Sequence, residues 1–136
     1  VPKHTEDASL VDLLERHYAW LKTVTVVESP HVNSLARSAA EQIVSAIRDI
    51  ARSKNKKKIH LGFAGGRTIR AVAEAMSDLL AIPHGDDPDE LVFHAMVAGF
   101  DDEDFFADPN SFITYFVNRP YHIKIQFVRL PLPGII

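Results

Sequence analysis

The sequence has no cysteine, no long apolar run and no excess of basic charge among its 136 residues. The missing cysteines exclude disulfides, thiolate metal sites and cysteine nucleophiles. Apolar stretches stay far below the roughly 18 residues that span a bilayer, and residues 1–7 lack the pattern of a secretory signal. A net charge of −3 argues against direct binding of nucleic acid. We therefore expect a soluble cytoplasmic protein.

Length and composition favour one globular α/β domain covering residues 1–136. Hydrophobic residues make up 46% and charged residues 24%, which is ordinary for a chain that buries a core. The length leaves no room for a second domain of normal size. The apolar residues at 131–136 suggest that more chain follows, so this would be the first part of a longer domain.

Hydrophobic periodicity alternates between strand and helix along the chain. It predicts a first helix at 9–20, strands at 23–27, 58–63, 91–97 and 123–128, and further helices at 32–52, 69–80 and 112–117. This alternation is typical of a Rossmann-like fold, in which a mostly parallel sheet carries helices on both faces as a three-layer sandwich. Ligands of such folds bind beyond the carboxyl ends of the strands, which here lead into residues 64–68, 98–101 and 130–134.

The strongest local motif is the run Gly65-Gly66-Arg67-Thr68, between a predicted strand and a predicted helix. Glycines allow the backbone to approach a ligand closely, and the helix directs N–H groups and its positive dipole end toward the same space. Thr68 can cap the helix or donate its hydroxyl, and Arg67 can hold phosphate oxygens in a bidentate fork. The motif therefore predicts an anion-binding loop.

The loop matches neither the dinucleotide pattern Gly-x-Gly-x-x-Gly nor the Gly-Lys-Ser/Thr of a P-loop. It could therefore bind an anion or be a structural turn without a ligand, and Arg67 could be a surface ion-pair partner.

The stretch at 60–76, HLGFAGGRTIRAVAEAM, resembles the Gly-Arg-Thr turn of the SorC family of bacterial sugar-responsive transcriptional regulators. Their effector domains share a fold with ribose-5-phosphate isomerase, glucosamine-6-phosphate deaminase and the DeoR-type regulators. Residues 97–99 resemble the family's second glycine turn, and residues 130–133 resemble its Leu-Pro-x-Pro segment. The resemblance implies an effector domain about twice as long as this chain, a DNA-binding domain outside it, and an oligomer.

The same resemblance implies the site residues. The Gly65–Thr68 run would hold the phosphate or anionic part of a sugar, Gly99 would line the crevice, and Pro131 would shape its far wall. Asp101 belongs to an acidic loop at 101–104 that departs from the family pattern and would repel a phosphate. An unphosphorylated sugar or an acid–base role for Asp101 stays open, as does a solvated loop.

No pattern in the sequence indicates a cofactor, a metal site or a catalytic set. The seven histidines show no His-Glu-x-x-His and no evident close pair. Aromatic residues at 105–106, 112 and 115–116 predict core packing, with a subunit contact as the alternative. Three functions follow: a sugar-sensing regulatory domain, a phosphosugar isomerase or deaminase of the same superfamily, or a diverged domain used for protein contacts.

Overall fold

The centre of the fold is a parallel sheet of three strands in chain order, seen in a computed structural model that describes residues 8–28, 31–55, 57–98 and 107–131. The strands are β1 (Lys58–Phe63), β2 (Glu90–Ala95) and β3 (Lys124–Val128). Between and before them come α1 (Ala8–His17), α2 (Val32–Ser53), α3 (Arg67–Leu80) and a 3₁₀ helix at Pro109–Tyr115. The predicted Rossmann-like α/β class is confirmed.

One face of the sheet forms the core. Ile59 and Phe63 of β1 and Leu91 and Phe93 of β2 occupy alternate positions of their strands, so they share this face and are buried. Helix α3 buries Ala73, Met76 and Leu80, and α2 buries Ala36, Ala40, Val44 and Ile47, both at helical spacing. The two helices pack along one another.

The aromatic residues of the 3₁₀ helix complete this core. Phe112 is fully buried with its ring centre 5.7 Å from that of Phe63, and Phe116 stacks at 4.8 Å on Phe93. The core-packing interpretation of these aromatics is therefore correct for Phe112 and Phe116, and their rings are not available for a subunit contact. Phe105 and Phe106 lie outside the described residues.

The opposite face of the sheet is mostly polar, with Val92 buried at its centre. Lys58, His60, Lys124 and Gln126 are exposed there, and the Nζ atoms of Lys58 and Lys124 each lie 3.8 Å from Oε1 of Glu90 on the central strand. A helical layer over it stays a prediction.

Several predicted boundaries are wrong. Residues 21–28 form no regular element, where a strand was predicted at 23–27. The segment expected to be a helix at 112–117 is a 3₁₀ helix that begins earlier, because Asp108 caps it and Pro109 opens it. The first helix ends at His17 and β2 ends at Ala95. Among the described residues, no helix has both the length and the apolar character needed to cross a membrane.

Candidate functional site at the carboxyl edge of the sheet

The glycine turn lies where β1 ends and α3 begins, as the sequence predicts. Gly66 is the residue before the helix and has φ 114° and ψ 160°, a conformation that L side chains rarely adopt. No heavy atom of the described residues lies within 4 Å of the position that a Cβ would occupy. The turn therefore requires glycine for its backbone, and the space before it is open.

The N–H groups of this turn are shared between the fold and the open space. The Gly66 N–H donates to the carbonyl of Ala107 at 2.9 Å, which anchors the turn to the segment before the 3₁₀ helix. No side chain caps α3, and no described acceptor receives the N–H of Thr68 or Ile69. A bound anion or polar ligand can satisfy these two donors at the positive end of the helix.

Asn110 fixes the end of β3, the strand on the far side of β2 from the glycine turn. Its Nδ2 donates to the carbonyl of Leu130, and its Oδ1 accepts from the Leu130 N–H, both at 2.9 Å. Asp108 is buried, and its Oδ1 accepts from the Asn110 N–H at 2.9 Å as the cap of the 3₁₀ helix. One short segment thus ties the glycine turn after β1 to the end of β3.

Two arginines lie in the first turn of α3. Arg67 is exposed, as is Thr68, which lies inside the helix and does not cap it. Arg70 is half-buried beside Tyr115 of the 3₁₀ helix, and its Nε is a buried donor without a partner among the described residues. Burial raises the pKa of Tyr115, and the positive charge of Arg70 opposes that rise. The first turn of α3 therefore carries two guanidinium groups, of Arg67 and Arg70, near the helix start.

The structure brings together four of the seven predicted site residues, which are Gly65, Gly66, Arg67 and Thr68. Pro131 is exposed and directly follows Leu130, so it lies at the same edge of the sheet. Gly99 and Asp101 lie outside the described residues, and their roles stay predictions.

Sequence reasoning missed three contributors to this edge: Arg70, Ala107 and Asn110. A local signal existed for Arg70, because residues three apart on a helix lie on one side and Arg67 was already identified. Asn110 directly follows a helix-start pair, which marks it as loop but says nothing of its partner 20 residues later. Ala107 contributes a backbone carbonyl, which no side-chain pattern reveals.

A histidine pair on the polar face was also missed. His60 Nδ1 and His94 Nε2 lie 2.8 Å apart on adjacent strands, so the expectation of no close pair was wrong. The distance is that of a hydrogen bond between two imidazoles, which requires one nitrogen to donate and the other to accept. No group of three or more His, Cys, Asp or Glu in the described part of the chain could hold a metal ion.

The larger grooves of the described residues lie elsewhere and are poor anion sites. One of about 780 Å³ runs along α2, where its lining includes Glu41 and Asp49 and no basic side chain. Another of about 430 Å³ includes Arg48 and Arg52, but both guanidinium groups are already paired with aspartates. Charge therefore favours the glycine turn over the larger grooves.

A comparison with solved structures finds one with a similar fold. The crystal structure of a probable sor operon regulator from Shigella flexneri is similar with a TM-score of 0.67 at 14% sequence identity. The match covers 96% of this chain and 49% of that one, so this chain spans about half the length of the regulator. No protein-family model matches the sequence. No curated protein matches it by sequence.

Proposed function

We propose that the chain is the ligand-sensing part of a sugar-responsive transcriptional regulator, which binds a phosphorylated or free sugar at the amino end of α3. The observation that carries the proposal is the uncapped helix start behind Gly66, with the N–H groups of Thr68 and Ile69 unsatisfied by described residues. The likeness of fold to a probable sor operon regulator supports a regulatory role.

The chemistry of the turn favours an anionic group on the ligand. The backbone N–H donors and the helix dipole favour negative charge before the helix, and the guanidinium of Arg67 would add to them if it turns toward the same space. Because the carboxyl ends of the three parallel strands share this edge of the sheet, the rest of the sugar would lie over the strand ends between β1 and β3, toward Leu130 and Pro131. Gly99 and Asp101 would complete the crevice.

Ligand binding can regulate only if it favours one arrangement of the protein over another. The glycine turn is held by Ala107, and Leu130 is held by Asn110, so a ligand between them would bias the segment that joins both. In the full protein this bias would change how subunits associate in the cytoplasm and how a DNA-binding domain, supplied outside this chain, meets its operator.

A thermal-shift titration tests the proposal with inorganic phosphate, pentose and hexose phosphates, and the matching free sugars. A ligand that binds the folded state at 100 times its Kd adds about 2.7 kcal/mol to the free energy of unfolding. Arg67→Ala should weaken binding by roughly 10- to 150-fold, because hydrogen bonds to charged groups contribute about 1.5–3 kcal/mol. Arg52→Ala is the matched control, because Arg52 lies on α2 beside Asp86, at the opposite end of the sheet.

The outcomes separate the candidate functions. Saturable binding that Arg67→Ala weakens and Arg52→Ala leaves alone supports a sensing site. Conversion of the bound sugar phosphate would instead support an isomerase or deaminase of the same fold. No stabilisation by any of these compounds would contradict the sensing site and favour a domain that makes protein contacts.

A further inference from the structure

Residues 22–28, Lys-Thr-Val-Thr-Val-Val-Glu, have a strand-like sequence without a sheet. Five consecutive β-branched residues at 23–27 favour an extended backbone. No hydrogen bond joins the backbone of 22–28 to any other described residue. Residues 24–27 are intermediate in exposure, and their backbone N–H and C=O groups have no partner among the described residues.

The side chains of this segment alternate as in a strand. Thr23 and Thr25 line a groove with residues 41–49 of α2, and Thr25 and Val27 line a second groove with residues 35–43. Every second residue therefore faces α2, which is the period of an extended chain. The segment runs beside the helix in the opposite direction and leaves its backbone groups available to another strand.

We propose that residues 22–28 pair antiparallel with the same residues of a second copy of this chain, around a two-fold axis at Thr25. The pairing places Lys22 opposite Glu28 of the second copy and Glu28 opposite its Lys22. A parallel pairing in register would instead place like charges side by side. Opposite charges at the two exposed ends thus select the antiparallel arrangement.

The inner pairs are also favourable. Val24 would lie opposite Val26, Thr23 opposite Val27, and Thr25 opposite its own copy. Pairs of β-branched side chains and Thr–Thr pairs each stabilise antiparallel strands by roughly 0.2–1 kcal/mol. A two-fold contact in which one segment meets itself is the commonest geometry of homodimers.

An aromatic pair next to the segment can extend the contact. Tyr18 and Trp20 touch edge to face with ring centres 5.8 Å apart, and the side chain of Trp20 is 75% exposed. Aromatic residues are enriched in interfaces because they bury a large area at little cost in conformational entropy. The other exposed backbone edges, on β1 and β3, lack the matched end charges of residues 22–28.

Sedimentation velocity of the 136-residue chain over a range of concentrations tests the pairing. Lys22→Glu should raise the dimer Kd about tenfold, because two attractive end pairs become repulsive. The double variant Lys22→Glu with Glu28→Lys should restore the original Kd, because it exchanges the two charges. Both residues are exposed, so all three proteins should have the same far-ultraviolet circular dichroism.

Loss of the dimer in Lys22→Glu and its return in the double variant would support the antiparallel pairing. A chain that remains monomeric at every concentration would overturn it. A dimer whose Kd is unchanged by Lys22→Glu would place the contact elsewhere, such as at an edge of the sheet, and would also overturn the proposal. Failure of the double variant to restore the dimer would overturn the antiparallel register.

Discussion

Replacing Gly66 by alanine isolates the backbone requirement of the glycine turn. At φ 114° and ψ 160° an alanine is strained, which costs about 1–3 kcal/mol. Alanine also reduces the conformational entropy of the unfolded chain, which raises the free energy of unfolding by about 0.4–1 kcal/mol. Because no heavy atom of the described residues lies within 4 Å of the new Cβ, no steric clash adds to this. The net loss in the free energy of unfolding should be up to about 2.6 kcal/mol, with a midpoint of about 1.3 kcal/mol, or roughly 4 °C in Tm at that midpoint.

Gly85→Ala is the matched control for this substitution. Gly85 also has no heavy atom within 4 Å of a built Cβ, but its φ lies outside the positive region. Its replacement should leave the free energy of unfolding unchanged or raise it by up to about 1 kcal/mol. Urea denaturation followed by circular dichroism measures both variants. Equal stability of the two would refute the strained conformation of Gly66.

Two further predictions concern buried polar groups. Asp87 is almost fully buried and accepts from Arg48 Nε at 2.8 Å, so Asp87→Ala should destabilise the fold by about 3 kcal/mol. Asp86→Ala, at a more exposed neighbour, should cost under about 0.5 kcal/mol in the same urea denaturation, and equal losses would contradict the reasoning. Burial raises the pKa of Tyr115 and of Tyr121 above the usual 10.0. The stability that this brings is complete below pH 10 and is lost as the pH rises through the raised pKa values, because the folded state keeps these protons longer. Near-ultraviolet absorbance should show phenol ionisation at higher pH in folded than in urea-unfolded protein, and coincident titrations would contradict it.

The sequence predicts β1, the glycine turn and α3 because their signals are local. The strand pattern ends at Phe63, Gly65 and Gly66 follow after one alanine, and the helical pattern of α3 begins directly after them. The contact of Gly66 with Ala107 could not be predicted, because it joins residues 41 positions apart through backbone atoms alone. The sequence therefore predicts the turn and the start of the helix, and the hydrogen bond from Gly66 N–H to Ala107 comes only from the structure.

The failure at residues 23–27 has a different cause. Strand propensity describes a backbone that suits a sheet, whereas a strand also needs a neighbour with which to exchange hydrogen bonds. No described residue supplies that neighbour, so residues 23–27 have a strand-like sequence but form no hydrogen bonds with another strand among the described residues. The pair His60–His94 was missed because it depends on the register of β1 against β2, which the two strand sequences do not specify.

An NMR titration of the ¹⁵N-labelled chain with inorganic phosphate, and then with pentose and hexose phosphates, tests directly whether an anion binds at the glycine turn. We expect the amide resonances of Thr68 and Ile69 to move first and furthest, with saturation, and Arg67→Ala to weaken the effect. Resonances of the 430 Å³ groove, including Arg48 and His84, should stay in place. Saturable shifts confined to that groove, or no shift at Thr68 and Ile69 with any of these ligands, would contradict an anion-binding site at the amino end of α3.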